Sequence, residues 1–113
     1  MVKTVLLAAT ILAFAVTAAL AAGSESQGKA LFNDPKFAGA TSGDSCDSCH
    51  PGGAGLGQAG DKKEFHIAGK VQKSLEEAVN ACIVYALNGK AIDPESEAMQ
   101  DIVAYIKSLK SKT

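Results

Sequence analysis

Two thiols and an imidazole stand within one run of five residues, Cys46-Asp47-Ser48-Cys49-His50, and this run constrains the chain more than any other feature. Cysteines three apart, with a histidine next in line, can add both sulfurs across the vinyl groups of one haem and set an imidazole under its iron, the c-type attachment pattern. Each residue type has its own task. The thiols form thioether bonds, and neutral imidazole is a good iron ligand.

Ahead of this run lies a leader legible from residue chemistry. Lys3 supplies a positive start, Val5 to Val16 is almost unbroken apolar sequence, and Ala19-Leu20-Ala21 presents small residues where a signal peptidase inspects them, so residues 1–21 are expected to be a cleaved signal peptide. The competing reading is an uncleaved anchor, because Val5 to Ala22 approaches the roughly 18 residues of a membrane span. Its many alanines make it only weakly hydrophobic, which favours cleavage. Export to the periplasm fits the motif, since bacteria attach haem outside the cytoplasm. Residues 22–113 then form one domain of 92 residues with no membrane span.

So short a domain has difficulty burying enough apolar area, and it has no Trp. A bonded haem would supply the missing core. Loss of Lys3 leaves ten lysines against twelve Asp and Glu, a formal charge of about −2, and nothing in this balance suggests nucleic acid. With no Arg anywhere, partners for haem carboxylates must come from Lys, polar side chains, backbone N–H groups or water.

The periodicity predicts an all-α domain of about three main helices, with no convincing strand alternation. The first runs from about Ser26 to Asn33, with Gly28 and Phe32 on one face and Asn33-Asp34-Pro35 as its stop. The second takes Ser74 as cap and Glu77 three residues on, and closes at Asn88-Gly89. Within it Leu75, Ala78, Val79, Cys82, Ile83 and Ala86 form one apolar stripe, so Cys82 faces inward. The third opens at Asp93-Pro94 and buries Met99, Ile102, Val103, Ile106 and Leu109, with Lys107, Lys110 and Lys112 near its C-terminal end. Residues 34–45 and 51–64 are loop-like. The Gly-rich run 52–60 has neither the Gly-Lys-Ser/Thr nor the preceding strand of a phosphate loop. It reads instead as a segment passing under the haem edge, one of whose carbonyls accepts the His50 N–H.

Gly28-x-x-x-Phe32, Cys46-x-x-Cys49-His50 and Ile102-x-x-Tyr105 together resemble class I c-type cytochromes across nearly the whole mature chain. That resemblance implies a bundle wrapped around one covalent haem c, with the first and last helices crossing closely through a glycine and aromatic pair, and His50 as proximal ligand. A residue without Cβ lets two helix backbones approach while a ring covers the gap. A narrower likeness, to the haem domains of thiosulfate dehydrogenases and related sulfur-oxidising cytochromes, rests on Asn80-Ala81-Cys82, Asn88-Gly89-Lys90-Ala91, Ser96-Glu97-Ala98-Met99 and Ala104-Tyr105.

Two residues compete for the distal iron position. In ordinary class I cytochromes that ligand is a methionine well before the last helix, whereas the mature chain's one methionine, Met99, falls three residues before Ile102. A thioether is a normal ligand for a carrier of higher potential, yet methionine also serves as a flexible filler of cores. The likeness to sulfur-oxidising cytochromes implies Cys82 instead, and an unpaired thiol in an oxidising compartment invites an explanation. His66, sixteen residues after His50, is a third candidate, although an ordinary loop histidine is the commoner reason for such a residue. A lysine or an open sixth position completes the alternatives.

The five-residue run also admits other chemistry. A redox dithiol needs a βαβ setting that the pattern lacks, and Cys46, Cys49, His50 and Cys82 have the ligand count of a zinc site without accounting for the flanking helix pair. No Ser/His/Asp array, paired acids or nucleotide loop accompanies the motif. The expected function is therefore a monomeric periplasmic one-electron carrier, not an enzyme, that meets a redox donor and acceptor transiently. Lys62, Lys63, Lys70 and Lys73 could steer an acidic partner, though lysines on solvated loops are common. The alternatives are a haem subunit of a thiosulfate- or sulfur-oxidising enzyme with Cys82 on the iron, and a binder of small gases or anions.

Overall fold

The computed structural model describes residues 23–112, so the expected leader lies outside the described residues. Four α-helices, α1 (Glu25–Phe32), α2 (Cys46–Cys49), α3 (Leu75–Tyr85) and α4 (Glu97–Ser108), alternate with short 3₁₀ turns and one small hairpin, β1 (Phe65–Ile67) with β2 (Lys70–Gln72). The main body is helical, as the periodicity implies, but the hairpin departs from an all-α reading.

Helices α1 and α4 make the central contact. A Cβ at Gly28 would overlap the Asp101 backbone carbonyl and crowd the Tyr105 side chain, so the missing side chain is what lets the two backbones touch. One turn on, the Phe32 and Tyr105 rings meet edge to face, with centroids 5.1 Å apart and planes inclined at 63°. The buried Asp101 carboxylate accepts the Ser24 N–H at 2.7 Å, tying the start of α1 to α4. Along α4, Met99, Ile102, Val103, Ile106 and the following Leu109 are all buried, the face that the spacing predicts.

Helix α3 starts where its cap residues indicate. Ser74 Oγ accepts the Glu77 N–H at 3.1 Å, and the Glu77 carboxylate reaches back to the Lys73 N–H at 2.7 Å. It ends at Tyr85, and Asn88, with φ 56°, takes the left-handed conformation from which Gly89 N–H returns to the Ile83 carbonyl at 2.8 Å. Its apolar stripe is mostly inward, although Ala86 is exposed.

Two expectations need correction. The last helix does not open at Asp93-Pro94: Asp93 forms a turn in which its carboxylate accepts the Glu95 N–H at 2.8 Å, and the cap is Ser96, whose Oγ accepts the Met99 N–H at 3.2 Å. Proline suits the second position of such a turn as well as it suits a first helical turn, and the serine lies nearer to the apolar periodicity. The second correction is the hairpin. Phe65 pairs with Gln72 and Ile67 with Lys70, around Ala68 (φ 56°) and Gly69 (φ 72°). Three-residue strands are too short to display alternation, and a tight turn of positive φ is usually signalled by Asn-Gly rather than Ala-Gly.

Replacing Gly28 with alanine forces Asp101 or Tyr105 aside, and a loss of about 1–3 kcal/mol is expected from such overpacking, read as a lower urea midpoint with an unchanged slope.

Candidate functional site

The Cys-x-x-Cys-His run forms its own short element. Helix α2 is one turn, in which the Ser45 N–H donates to Ser48 Oγ at 2.9 Å and the His50 N–H to the Cys46 carbonyl at 3.0 Å. Helical spacing sets Cys46 and Cys49 on one face, and His50 follows at the helix end. The two intervening residues hold the element in shape: Asp47 accepts the Gly52 N–H at 2.8 Å, while Ser48 serves the start of the turn.

His50 is oriented by a single bond. Its Nδ1 lies 3.0 Å from the Ala54 carbonyl oxygen, and because a carbonyl can only accept, the proton of neutral imidazole sits on Nδ1. Nε2 then carries the free lone pair, the form that a metal requires. The carbonyl anticipated within the 52–60 segment is that of Ala54.

Cys46, Cys49 and His50 border one cavity of about 290 Å³. Its walls are overwhelmingly apolar: Phe32 of α1, Ile102 and Ile106 of α4, Leu75 and Val79 of α3, Phe65 and Ile67 of β1, and Leu56 from the glycine-rich segment. Interior spaces larger than a water molecule are few in a domain this short, so a cavity this size between the main helices marks a binding site. Two thiols at one wall, a correctly protonated imidazole beside them and apolar surfaces all round fit a haem fastened by both cysteines. The residues present suit that group.

Cys82 of α3 borders the same cavity; Met99 does not. Met99 has no exposed surface and belongs to the packed core. Met99 lies in the first turn of α4, its N–H bonded to the Ser96 cap. His66 touches the cavity from β1, but its side chain is 71% exposed and its Nε2 lies 3.2 Å from the Glu64 carboxylate.

Burial pushes the Cys46 thiol up to about 11, and the charge of Cys82 adds to the effect. Cys82 is likewise raised by burial and then by Cys49. Cys46 and Cys82 border the same low-dielectric space, where burial disfavours the charged thiolate. All three are free thiols. Among the described residues no three His, Cys, Asp or Glu side chains are gathered closely enough to hold a metal ion by themselves, so the four residues weighed for zinc do not converge as ligands.

No protein-family model matches the chain, and no curated protein or solved structure does either. Its reading rests on the site.

Several contributors were not legible in the sequence. Phe65 and Ile67 reach the cavity only because the hairpin exists, and the Ala54 carbonyl carries no side-chain signal. Asn80 has a supporting role: its amide donates to the Ile92 carbonyl and accepts the Ile92 N–H, both at 2.8 Å, clasping the segment between α3 and α4 two residues before Cys82. None of the described helices is long and apolar enough to cross a membrane.

Truncating Met99 to alanine is expected to cost about 2–5 kcal/mol as a core deletion, whereas His66→Ala changes stability by no more than about 0.5 kcal/mol, both read from urea denaturation.

Proposed function

We propose that the mature chain is a monohaem class I-type cytochrome c, a monomeric periplasmic electron carrier with one haem c bonded to Cys46 and Cys49. One observation carries this reading: both thiols of the motif and an imidazole held in the metal-binding tautomer border a single apolar cavity between the main helices. When bound, haem c supplies a one-electron iron couple. The chain's own residues do the rest.

Cys46 and Cys49 would fasten the macrocycle on one side, and His50, steered by Ala54, would present Nε2 as the proximal ligand. Phe32, Val79, Ile102 and Ile106 would keep water from its faces. A dry, low-dielectric surround that needs little rearrangement on electron exchange suits a carrier. The exposed Lys63, Lys70 and Lys73 lie on or beside the hairpin, next to a wall of the cavity, where an acidic donor or acceptor would meet them transiently.

A second reading is favoured by the contrast between Cys82 and Met99. Because Cys82 borders the cavity and Met99 is packed elsewhere, Cys82 is the better distal ligand, as in the sulfur-oxidising cytochromes that this part of the chain resembles. A thiolate on iron is compatible with a carrier and also with the haem subunit of a thiosulfate- or sulfur-oxidising enzyme.

Expression of the full chain in a host that matures c-type cytochromes tests the first reading. The secreted protein is expected to be red, to keep its colour after denaturation, and to lose it in Cys46→Ala/Cys49→Ala; a colourless product with the mass of bare polypeptide would refute it. In the holoprotein Cys82→Ala is expected to change iron spin state and reduction potential, and Met99→Leu to leave both nearly unchanged. Thiosulfate turnover at enzymatic rates by the purified chain would replace the carrier assignment with the enzymatic one.

A further inference from the structure

Lys62 brings an ammonium to the cavity wall of a protein that contains no arginine. Apart from the three thiols, the other polar side chains there are engaged: His50 with the Ala54 carbonyl, the Ser45 hydroxyl with Ser48, and His66 with Glu64. The acidic neighbours are engaged too. Asp61 pairs with Lys110 at 2.6 Å, and Glu64 faces His66 at 3.2 Å. Among the described residues, Lys62 therefore has no carboxylate within ion-pair distance.

Its position is nevertheless defined. Lys62 ends the 3₁₀ turn Ala59–Asp61 in an extended conformation that leads into β1, and its Nζ stands 5.2 Å from the centroid of the Phe65 ring. Phe65 is a cavity wall, so the ring's electron-rich face holds the cation at the rim instead of letting it range through solvent. An apolar cleft with one positioned, unpaired cation at its edge suits a ligand with an apolar body and a carboxylate end.

We propose that Lys62 is the counter-charge for a carboxylate of the cavity-bound cofactor, pairing with a propionate of haem c. The proposal rests on the haem reading above and adds which residue answers the acid groups. Such a pair at a solvent-exposed rim adds little to folding stability, and its effect falls on the iron. A bare propionate near the macrocycle favours the oxidised, more positive centre, and an ammonium beside it offsets that bias, raising the potential.

The test compares holoprotein variants by redox titration at low ionic strength. Lys62→Gln is expected to lower the equilibrium constant for reduction about threefold, roughly 28 mV at 59 mV per decade for a one-electron couple. Lys62→Arg should restore the wild-type value. Lys63→Gln removes the same charge from a neighbouring side chain that does not border the cavity, and it should shift the potential far less. An unchanged potential in Lys62→Gln, or equal shifts in both glutamine variants, overturns the role of Lys62 while leaving the haem reading intact. A chain that acquires no covalent haem overturns both.

Discussion

Contact between the backbones of α1 and α4 at Gly28 is the constraint on which the rest of the structure depends. It brings Phe32 against Tyr105 and fixes Ile102 and Ile106 at a set distance from α3 and the hairpin, and the space left between them is the cavity. Were the helices held further apart by a side chain at Gly28, the wall that they jointly form would open to water. The smallest residue type thus governs the shape of the cavity.

The chemistry is divided between a local and a non-local part. The local part is α2, where a single helical turn sets two sulfurs on one face and a backbone carbonyl four residues beyond His50 chooses its tautomer. The non-local part is the enclosure, to which α1, α3, α4 and β1 each contribute a wall. Dispersed apolar walls of this kind exclude water and lower the dielectric around whatever they hold, which is the means by which a protein tunes an iron centre without contacting it through charged groups. The raised thiols of Cys46 and Cys82 register that same low dielectric.

Much of this was legible along the chain because it depends on near neighbours. The Cys46-x-x-Cys49-His50 run is five consecutive residues, the cap of α3 is a serine with a glutamate three residues on, and the buried face of α4 repeats at helical spacing. Failures occurred where one signal has two meanings. Asp93-Pro94 can begin a helix or a turn, and the turn prevails because Ser96 is a better-placed cap. Ala68-Gly69 lacks the usual asparagine of a tight hairpin, and three residues are too few to show strand alternation, so the hairpin that supplies Phe65 and positions Lys62 was not foreseen.

Sequence alone determined the three main helices, since each rests on a local pattern, and the family resemblance implied the α1–α4 contact through Gly28, which the volume of one side chain permits. Tertiary structure alone decided which of two inward-facing sulfurs reaches the cavity. Cys82 and Met99 both occupy apolar stripes, and periodicity says only that each points away from solvent. Whether that direction ends at a cavity or in a packed core is set by the placement of neighbouring elements, and it separates a cavity-lining sulfur from one that fills space.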